Sequence, residues 1–222
     1  MRDNATPYII KSISIIRNNL SPFLIVLIAS FLFILPMIEK TPNTLYFLIF
    51  GAVMLFIYPS IYGRYSEITL NRQAVPYSIL FKRHWVNYFL ISLLLGIPSA
   101  IFDLLRMFLE IEVKNFEVIS SIVVSSLSIY VLPLVFIHGK KMESIKFGFQ
   151  CTFGNLIFNL PLFLIVSATT IIGVLIEYPD YLSNRLHFII SYGALLIFNL
   201  FIEFLVFVSA TLILKEKGLT EI

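Results

Sequence analysis

Long apolar segments recur along this chain, and they limit its fold more than any other feature. A helix needs about 20 mostly apolar residues to cross the hydrocarbon core of a membrane, with a range of about 17–25. Six segments meet this requirement, at approximately residues 22–38, 44–62, 86–109, 118–137, 156–178 and 188–214. A helix satisfies its own backbone hydrogen bonds in lipid. The sequence therefore predicts an all-α integral membrane protein with six transmembrane helices.

The composition supports this interpretation. The 222 residues are 59% hydrophobic and 13% charged, with a mean hydropathy of +0.93, whereas soluble domains are about 25% charged. The single cysteine, Cys151, has no partner for an internal disulfide. Residues 1–20 mix charges with isoleucines at helical spacing and do not resemble a cleaved signal peptide.

Lysine and arginine are distributed unequally between the two ends of these segments. If the N-terminus is cytoplasmic, twelve of the 16 cations fall in cytoplasmic parts of the chain. Cytoplasmic loops of membrane proteins carry such an excess of Lys and Arg. The sequence thus predicts a multi-pass protein of the cell (inner, cytoplasmic) membrane with both termini in the cytoplasm.

Three amphipathic stretches precede the odd-numbered segments. They read YIIKSISIIRNNLSPF, VPYSILFKRHWVNYFL and MESIKFGFQCTFGNLIF, and each carries cations and an Asn near its junction with an apolar segment. In the first, Ile9, Ile10, Ile13, Ile16 and Leu20 are spaced as one apolar helical face. Such helices lie in the headgroup plane of a membrane. The alternative is that these stretches are ordinary basic loops.

Because this pattern occurs three times, we predict one transmembrane domain, 1–222, built from a threefold repeat over residues 5–62, 74–137 and 142–214. Each unit would be an interfacial elbow helix followed by a membrane hairpin. Cations and a tryptophan at the cytoplasmic interface are the predicted contacts for lipid headgroups or a partner. These residues are Lys11, Arg17, Lys82, Arg83, Trp85, Lys140, Lys141 and Lys146. A nucleic-acid partner is not predicted, because that role needs a basic face clear of the bilayer.

Four polar residues within the apolar segments form a candidate intramembrane site. Asp103 and Arg106 are three residues apart in the third segment and can neutralise each other on one helix face. Glu203 lies near the middle of the sixth segment, with Asn199 one turn before it. A charged side chain in hydrocarbon costs about 2.5–3.5 kcal/mol on insertion scales. Glu203 therefore either handles a proton or a substrate, or makes a buried interhelical hydrogen bond.

Catalytic and metal-binding motifs are absent from the sequence. It contains no HExxH, CxxC, Walker A, GxGxxG or GxSxG pattern. His84, His138 and His187 are far apart in sequence, and the predicted topology places the third on the opposite side from the first two. We expect no cofactor, no metal and no enzymatic activity.

One stretch, LPLVFIHGKKMESIKFGFQCTFGNLIFNLPLFLI, resembles a block of a loose family of bacterial six-span membrane proteins. The family includes the YciC-like proteins and the membrane domain attached to some glycerophosphodiester phosphodiesterases. The matching positions are Pro133, Lys140, Lys141, Ser144, Ile145, Phe153 and Asn155. Many relatives have a Pro-Gly pair in the fourth segment, where this chain reads VISSIVVSSLSIY. The resemblance implies the six-span layout, but the family's function is mostly undefined.

Two function hypotheses fit these features. The first is a non-enzymatic membrane protein that binds lipid or organises membrane partners, with membrane lipids and further copies of itself as partners. The alternative is the permease subunit of an ABC-type transporter, which begins with an elbow helix and works with a separate cytoplasmic ATPase.

Overall fold

The computed structural model describes residues 4–34, 44–109, 113–139, 141–175 and 185–219. Within them the chain forms nine helices and no strand, which confirms the all-α prediction. At several helix ends, such as 44–48 and 102–109, the backbone is described without the side chains. The helices are α1 (Thr6–Asn18), α2 (Leu20–Ile34), α3 (Thr44–Leu70), α4 (Tyr77–Leu109), α5 (Val113–Ser128), α6 (Val131–His138), α7 (Lys141–Phe153), α8 (Leu156–Leu175) and α9 (Arg185–Glu216).

Two of the three amphipathic stretches form separate helices, and each of these ends in a sharp turn, whereas their predicted position at a membrane interface stays a prediction. α1 meets α2 at 76°, and α7 meets α8 at 102°. An asparagine caps each turn: Asn19 donates to the Ile15 carbonyl at 2.9 Å, and the Asn155 side-chain oxygen accepts from the Phe158 N–H at 3.0 Å. Gly154 fits beside Asn155 because a Cβ there would lie 2.7 Å from a carbonyl oxygen of the preceding turn. These side chains supply partners for backbone groups that a helix end leaves unpaired.

The second amphipathic stretch does not form a separate elbow. Residues Tyr77–Leu109 are one continuous helix, α4, so the prediction of an elbow before every hairpin is wrong here. The asparagine of this stretch has a different role, because Asn87 donates to the Gly139 carbonyl at 3.1 Å and joins α4 to the end of α6. The threefold repeat itself stays a prediction.

Fewer helices meet the requirements for crossing a membrane than the six predicted. By length and composition two described stretches qualify, Ser121–His138 and Ile190–Glu216, or up to four if each bent pair counts as one span. Within the described residues α3 and α4 do not qualify. Their apolar residues share the helix with polar ones, among them Arg64 in α3 and Lys82 in α4. The six predicted segments also run through residues whose side chains are not described, among them 44–48 and 102–109, so the count of two to four applies to the described residues alone.

The described core surrounds the second half of α9. Every residue from Phe204 to Leu214 is buried, and α1, α2, α3, α6 and α8 all pack against this helix. The hydroxyls of Ser12 in α1 and Ser209 in α9, both fully buried, are 3.0 Å apart. α1 is therefore fastened to the core by a polar contact as well as by apolar packing.

α1 presents apolar residues on two sides instead of one. Ile9 and Ile16 are buried, whereas Ile10 and Ile13 are 64% and 43% exposed, and Leu20 is also exposed. The prediction that all five share one membrane-facing surface is wrong, because α1 lies against α9 along one side. Only the exposed residues remain for contact with a membrane or another protein.

A break separates α5 from α6 in the middle of the chain. It lies at residues 129–130, four residues before Pro133, because proline lacks an N–H and its ring clashes with the carbonyl four residues earlier. Tyr130 at this break donates to the Asn159 side-chain oxygen at 2.6 Å. Asn159 in turn donates to the carbonyls of Cys151 and Thr152, both at 3.0 Å. This buried network fixes the break against the turn between α7 and α8.

Candidate functional site

A cavity of about 280 Å³ lies among α3, α5, α6, α8 and α9. The break at residues 129–130 contributes Ile129 to its apolar lining. The polar lining consists of Tyr62, Ser125, Ser128, Thr169, Thr170, Asn199 and Glu203. Two residues singled out from the sequence, Asn199 and Glu203, therefore meet in one cavity, as their spacing of one helical turn predicts.

Glu203 is held in this cavity by a neutral hydrogen-bond donor. The Tyr62 hydroxyl of α3 donates to a carboxylate oxygen of Glu203. Among the described lining residues Glu203 is the one acid, and neither lysine nor arginine accompanies it. A carboxyl group between apolar helices needs such compensation, because desolvation disfavours it strongly. No further hydrogen bond reaches Glu203 from the described residues, so its second carboxylate oxygen can accept from a ligand or from water.

The orientation of Tyr62 is fixed by aromatic packing. Its ring lies 4.6 Å from the Phe207 ring and 5.5 Å from the rings of both Phe136 and Phe204. The Tyr58 ring is a further neighbour, at 5.8 Å. Tyr62 itself is almost completely buried. Its hydroxyl is therefore aimed at Glu203 by contacts that leave the ring little freedom.

Three of the hydroxyl groups that line the cavity offer only hydrogen-bond acceptors. The hydroxyls of Ser128, Thr169 and Thr170 donate to carbonyls of their own helices at 2.7–3.0 Å. Each thus uses its one donor and keeps only oxygen lone pairs for a ligand. The Asn199 side-chain oxygen is buried and has no hydrogen-bond partner among the residues that the structure describes. Together with the free oxygen of Glu203, these groups make the cavity rich in acceptors.

Asp103 and Arg106, the other two residues of the predicted intramembrane site, lie in α4. Their side chains lie outside the described residues, so their predicted pairing stays a prediction. The same holds for Lys140, which lies outside the described residues, and for Lys141, whose backbone alone is described.

The predicted interfacial residues that are described lie mainly on exposed surfaces. Those on exposed surfaces are Lys11, Arg17, Lys82, Arg83, Trp85 and Lys146. Lys11 lies 3.9 Å from Glu216 at the end of α9. Trp85 stacks on Phe81, with ring centroids 6.0 Å apart. Exposure leaves these side chains accessible to headgroups, and the lipid contacts stay a prediction.

Sequence reasoning did not find the partner of Glu203. Tyr58 and Tyr62 are four residues apart in α3, on either side of Pro59, and this spacing places two hydroxyl-bearing rings on one helix face. That pattern could have marked α3 as a polar face inside an apolar bundle. It gives no indication that the face meets α9, because the two helices are more than a hundred residues apart in sequence.

Within the described residues, no cluster of three or more His, Cys, Asp or Glu could hold a metal ion.

Comparison of the chain with protein families, curated proteins and solved structures finds no match. The family resemblance described above therefore stays a prediction, and the function has to be inferred from the cavity itself.

Proposed function

We propose that the chain is a non-enzymatic integral membrane protein that binds a lipid through the cavity at Glu203. The chemical character of the cavity is the observation that carries the proposal. Tyr62, Ser128, Thr169 and Thr170 have already used their hydroxyl donors, whereas oxygens of Glu203 and Asn199 are free to accept. A ligand that brings its own donors complements such a lining.

A primary-amine lipid headgroup is the ligand class that best fits these acceptors. A primary ammonium group has three N–H donors and a positive charge that Glu203 can balance. A trimethylammonium headgroup has no N–H donor and cannot make these bonds. The apolar residues of the same cavity, among them Ile129, Leu132 and Val166, suit the acyl part of a lipid.

The two ends of the described chain support the topology that we propose, with both termini on the cytoplasmic side. The Tyr8 hydroxyl of α1 donates to a Glu216 oxygen at the end of α9 at 2.8 Å. α1 also packs directly against α9. The first and last described helices therefore lie side by side, which agrees with termini on one face of a membrane.

We expect Glu203→Gln to weaken binding of phosphatidylethanolamine by about tenfold or more, because the amide cannot balance the ammonium charge. The measurement is native mass spectrometry of the full chain in mild detergent, titrated with phosphatidylethanolamine and, separately, with phosphatidylcholine. The unmodified chain should prefer the primary amine.

Glu143→Gln is the matched control, since it removes a carboxylate from an exposed position on α7 and should leave the preference unchanged. Equal binding of the two lipids by the unmodified chain would contradict the proposal. So would a Glu203→Gln protein that keeps the preference while eluting as a folded monodisperse species.

The permease alternative is also supported by one observation, because a polar cavity among apolar helices matches the midplane substrate sites of transporters. In that case a cytoplasmic ATPase should copurify with the chain after crosslinking in membranes. Recovery of an ATPase at equimolar amounts would favour transport over lipid binding, and its absence under crosslinking would favour the lipid-binding protein.

A further inference from the structure

A second cavity, separate from the one at Glu203, lies where α3, α4 and α6 end in polar residues. Its volume is about 260 Å³, and Arg72, Arg83, His84, Glu67 and His138 contribute to its lining. Arg72 belongs to the connection between α3 and α4, so cations from two separate parts of the chain converge on one space. The cavity at Glu203 has no such cations among its described lining residues.

The negative charge of Glu67, the acid in this second cavity, is already balanced by a neighbouring arginine. Glu67 is 6% exposed, and its carboxylate accepts from the Arg64 guanidinium at 3.2 Å and from the Val75 N–H at 3.4 Å. Arg64 also donates to the Val75 carbonyl at 2.5 Å. Glu67 therefore belongs to a tight structural pair, and the charges of Arg72 and Arg83 remain in excess within the described lining.

His84 is the polar group of this cavity that most needs a partner. It is 6% exposed, and its Nδ1 has no hydrogen-bond partner within the described part of the chain. A buried polar atom left unpaired is destabilising, because it has lost its hydrogen bonds to water without gaining others. The ring is held in place by Phe136, with centroids 4.7 Å apart, and by a close approach to Gly63, where a Cβ would lie 3.1 Å from the ring. The imidazole is thus fixed beside two cations and lacks a ligand for one nitrogen.

We propose that this cavity binds a phosphate group, with Arg72 and Arg83 balancing its charge and His84 supplying a further hydrogen bond. Guanidinium groups match phosphate oxygens in geometry and charge. The amount of space suits a single tetrahedral anion with its water. Neither the lipid site at Glu203 nor its ligand enters this inference, so the two proposals can fail independently.

The electrostatics of the cavity agree with an anionic ligand. Burial, and then the positive charges of Arg83 and Arg72, lower the pKa of His84 to about 4. The imidazole is therefore neutral at physiological pH while no anion is bound. An anion beside the ring opposes both causes, and it shifts the pKa of His84 back toward its ordinary value of about 6.5.

The phosphate can come from an anionic lipid headgroup or from a soluble phosphate. The full chain in detergent is titrated with inorganic phosphate at constant ionic strength, and the full chain in nanodiscs is compared with and without phosphatidic acid in phosphatidylcholine. Binding is followed by thermal stabilisation and by calorimetry. Binding of inorganic phosphate identifies a soluble ligand class, and binding of phosphatidic acid alone identifies a lipid headgroup.

We expect Arg83→Gln to weaken binding of whichever probe binds by about tenfold, with Arg72→Gln similar. Arg83 is exposed, so its substitution should leave folding intact even if His84→Gln does not. Lys217→Gln is the control, because Lys217 is an exposed cation that follows α9 and does not line the cavity. An equal loss in Lys217→Gln would reveal general attraction to anions and overturn the site, as would the failure of both probes to bind.

The role of His84 has a readout of its own. Sulfate is a tetrahedral dianion whose charge stays constant between about pH 8 and about pH 5.5. The unmodified chain should bind it more tightly as the pH falls, because His84 becomes protonated in the complex, and His84→Gln should lose this dependence. Glu67, Arg72, Arg83 and His138 also face the cavity. A pH dependence that persists in His84→Gln would remove His84 from the site.

Discussion

Gly148→Ala is expected to lower the free energy of unfolding by about 1–3 kcal/mol, because it overpacks a close helix contact. A Cβ at Gly148 of α7 would lie 2.7 Å from the side chain of Val131 in α6 and 3.0 Å from two of its backbone atoms. The side-chain atom could rotate away, but the backbone atoms could not move without separating α6 from α7. Small residues at such positions let helices approach closely. Detergent-solubilised protein unfolded by SDS or by heat provides the measurement.

Gly51→Ala in α3 is the matched control for this prediction. A Cβ at Gly51 meets no atom of the described residues within 4 Å, and alanine favours a helix over glycine by about 1 kcal/mol. This substitution should therefore leave stability unchanged or raise it slightly. If both variants unfold at the same point as the unmodified chain, α6 and α7 do not pack as described.

Tyr62→Phe is expected to lower the free energy of unfolding by about 1–2 kcal/mol, since it removes the hydroxyl that donates to Glu203. The size of this decrease in the free energy of unfolding should depend on whether Glu203 is present. In a Glu203→Leu background the same change should have less than half of that effect, because no carboxyl group is then left unpaired. This double-mutant cycle measures the coupling between α3 and α9 directly.

The neighbouring Tyr58→Phe gives the reference for removing a hydroxyl from the same aromatic cluster, in which the Tyr58 and Tyr62 rings lie 5.8 Å apart. Its effect should be smaller, because the donor to Glu203 is Tyr62. Equal losses from Tyr62→Phe in both backgrounds would mean that the hydrogen bond contributes nothing specific. Glu203 would then have to be stabilised in some other way.

The helices α1, α4 and α7 show which features local sequence patterns can predict and which they cannot. The spacing of apolar residues in α1 and α7, together with Asn19 and Asn155, was enough to predict a helix and then a turn, since capping is local chemistry. At α4 the same signals were present, but Asn87 bonds to Gly139 instead of turning the chain. Whether a polar side chain caps its own helix or reaches another depends on which helix lies nearby.

The candidate site likewise contains some residues that the sequence identifies and others that only the structure shows. Glu203 and Asn199 could be found from sequence, because a carboxyl and an amide one turn apart in an apolar segment are conspicuous. Tyr62 could not be identified as the partner, and the basic cavity around His84 was not predicted at all. Arg72 and His84 appear in sequence as parts of an ordinary polar connection, and only the packing of α6 against α3 and α4 encloses them.

The sequence by itself determined the helical class, the apolar character of α9 and the turns at the ends of α1 and α7. These features depend on hydropathy, helical periodicity and capping, which act over a few residues. Only the tertiary structure decided that α9 forms the centre of the bundle, that Tyr62 bonds to Glu203, and that Phe136 packs against both Tyr62 of one cavity and His84 of the other. These features depend on contacts between residues far apart in the chain, and no local pattern specifies which faces of the helices meet.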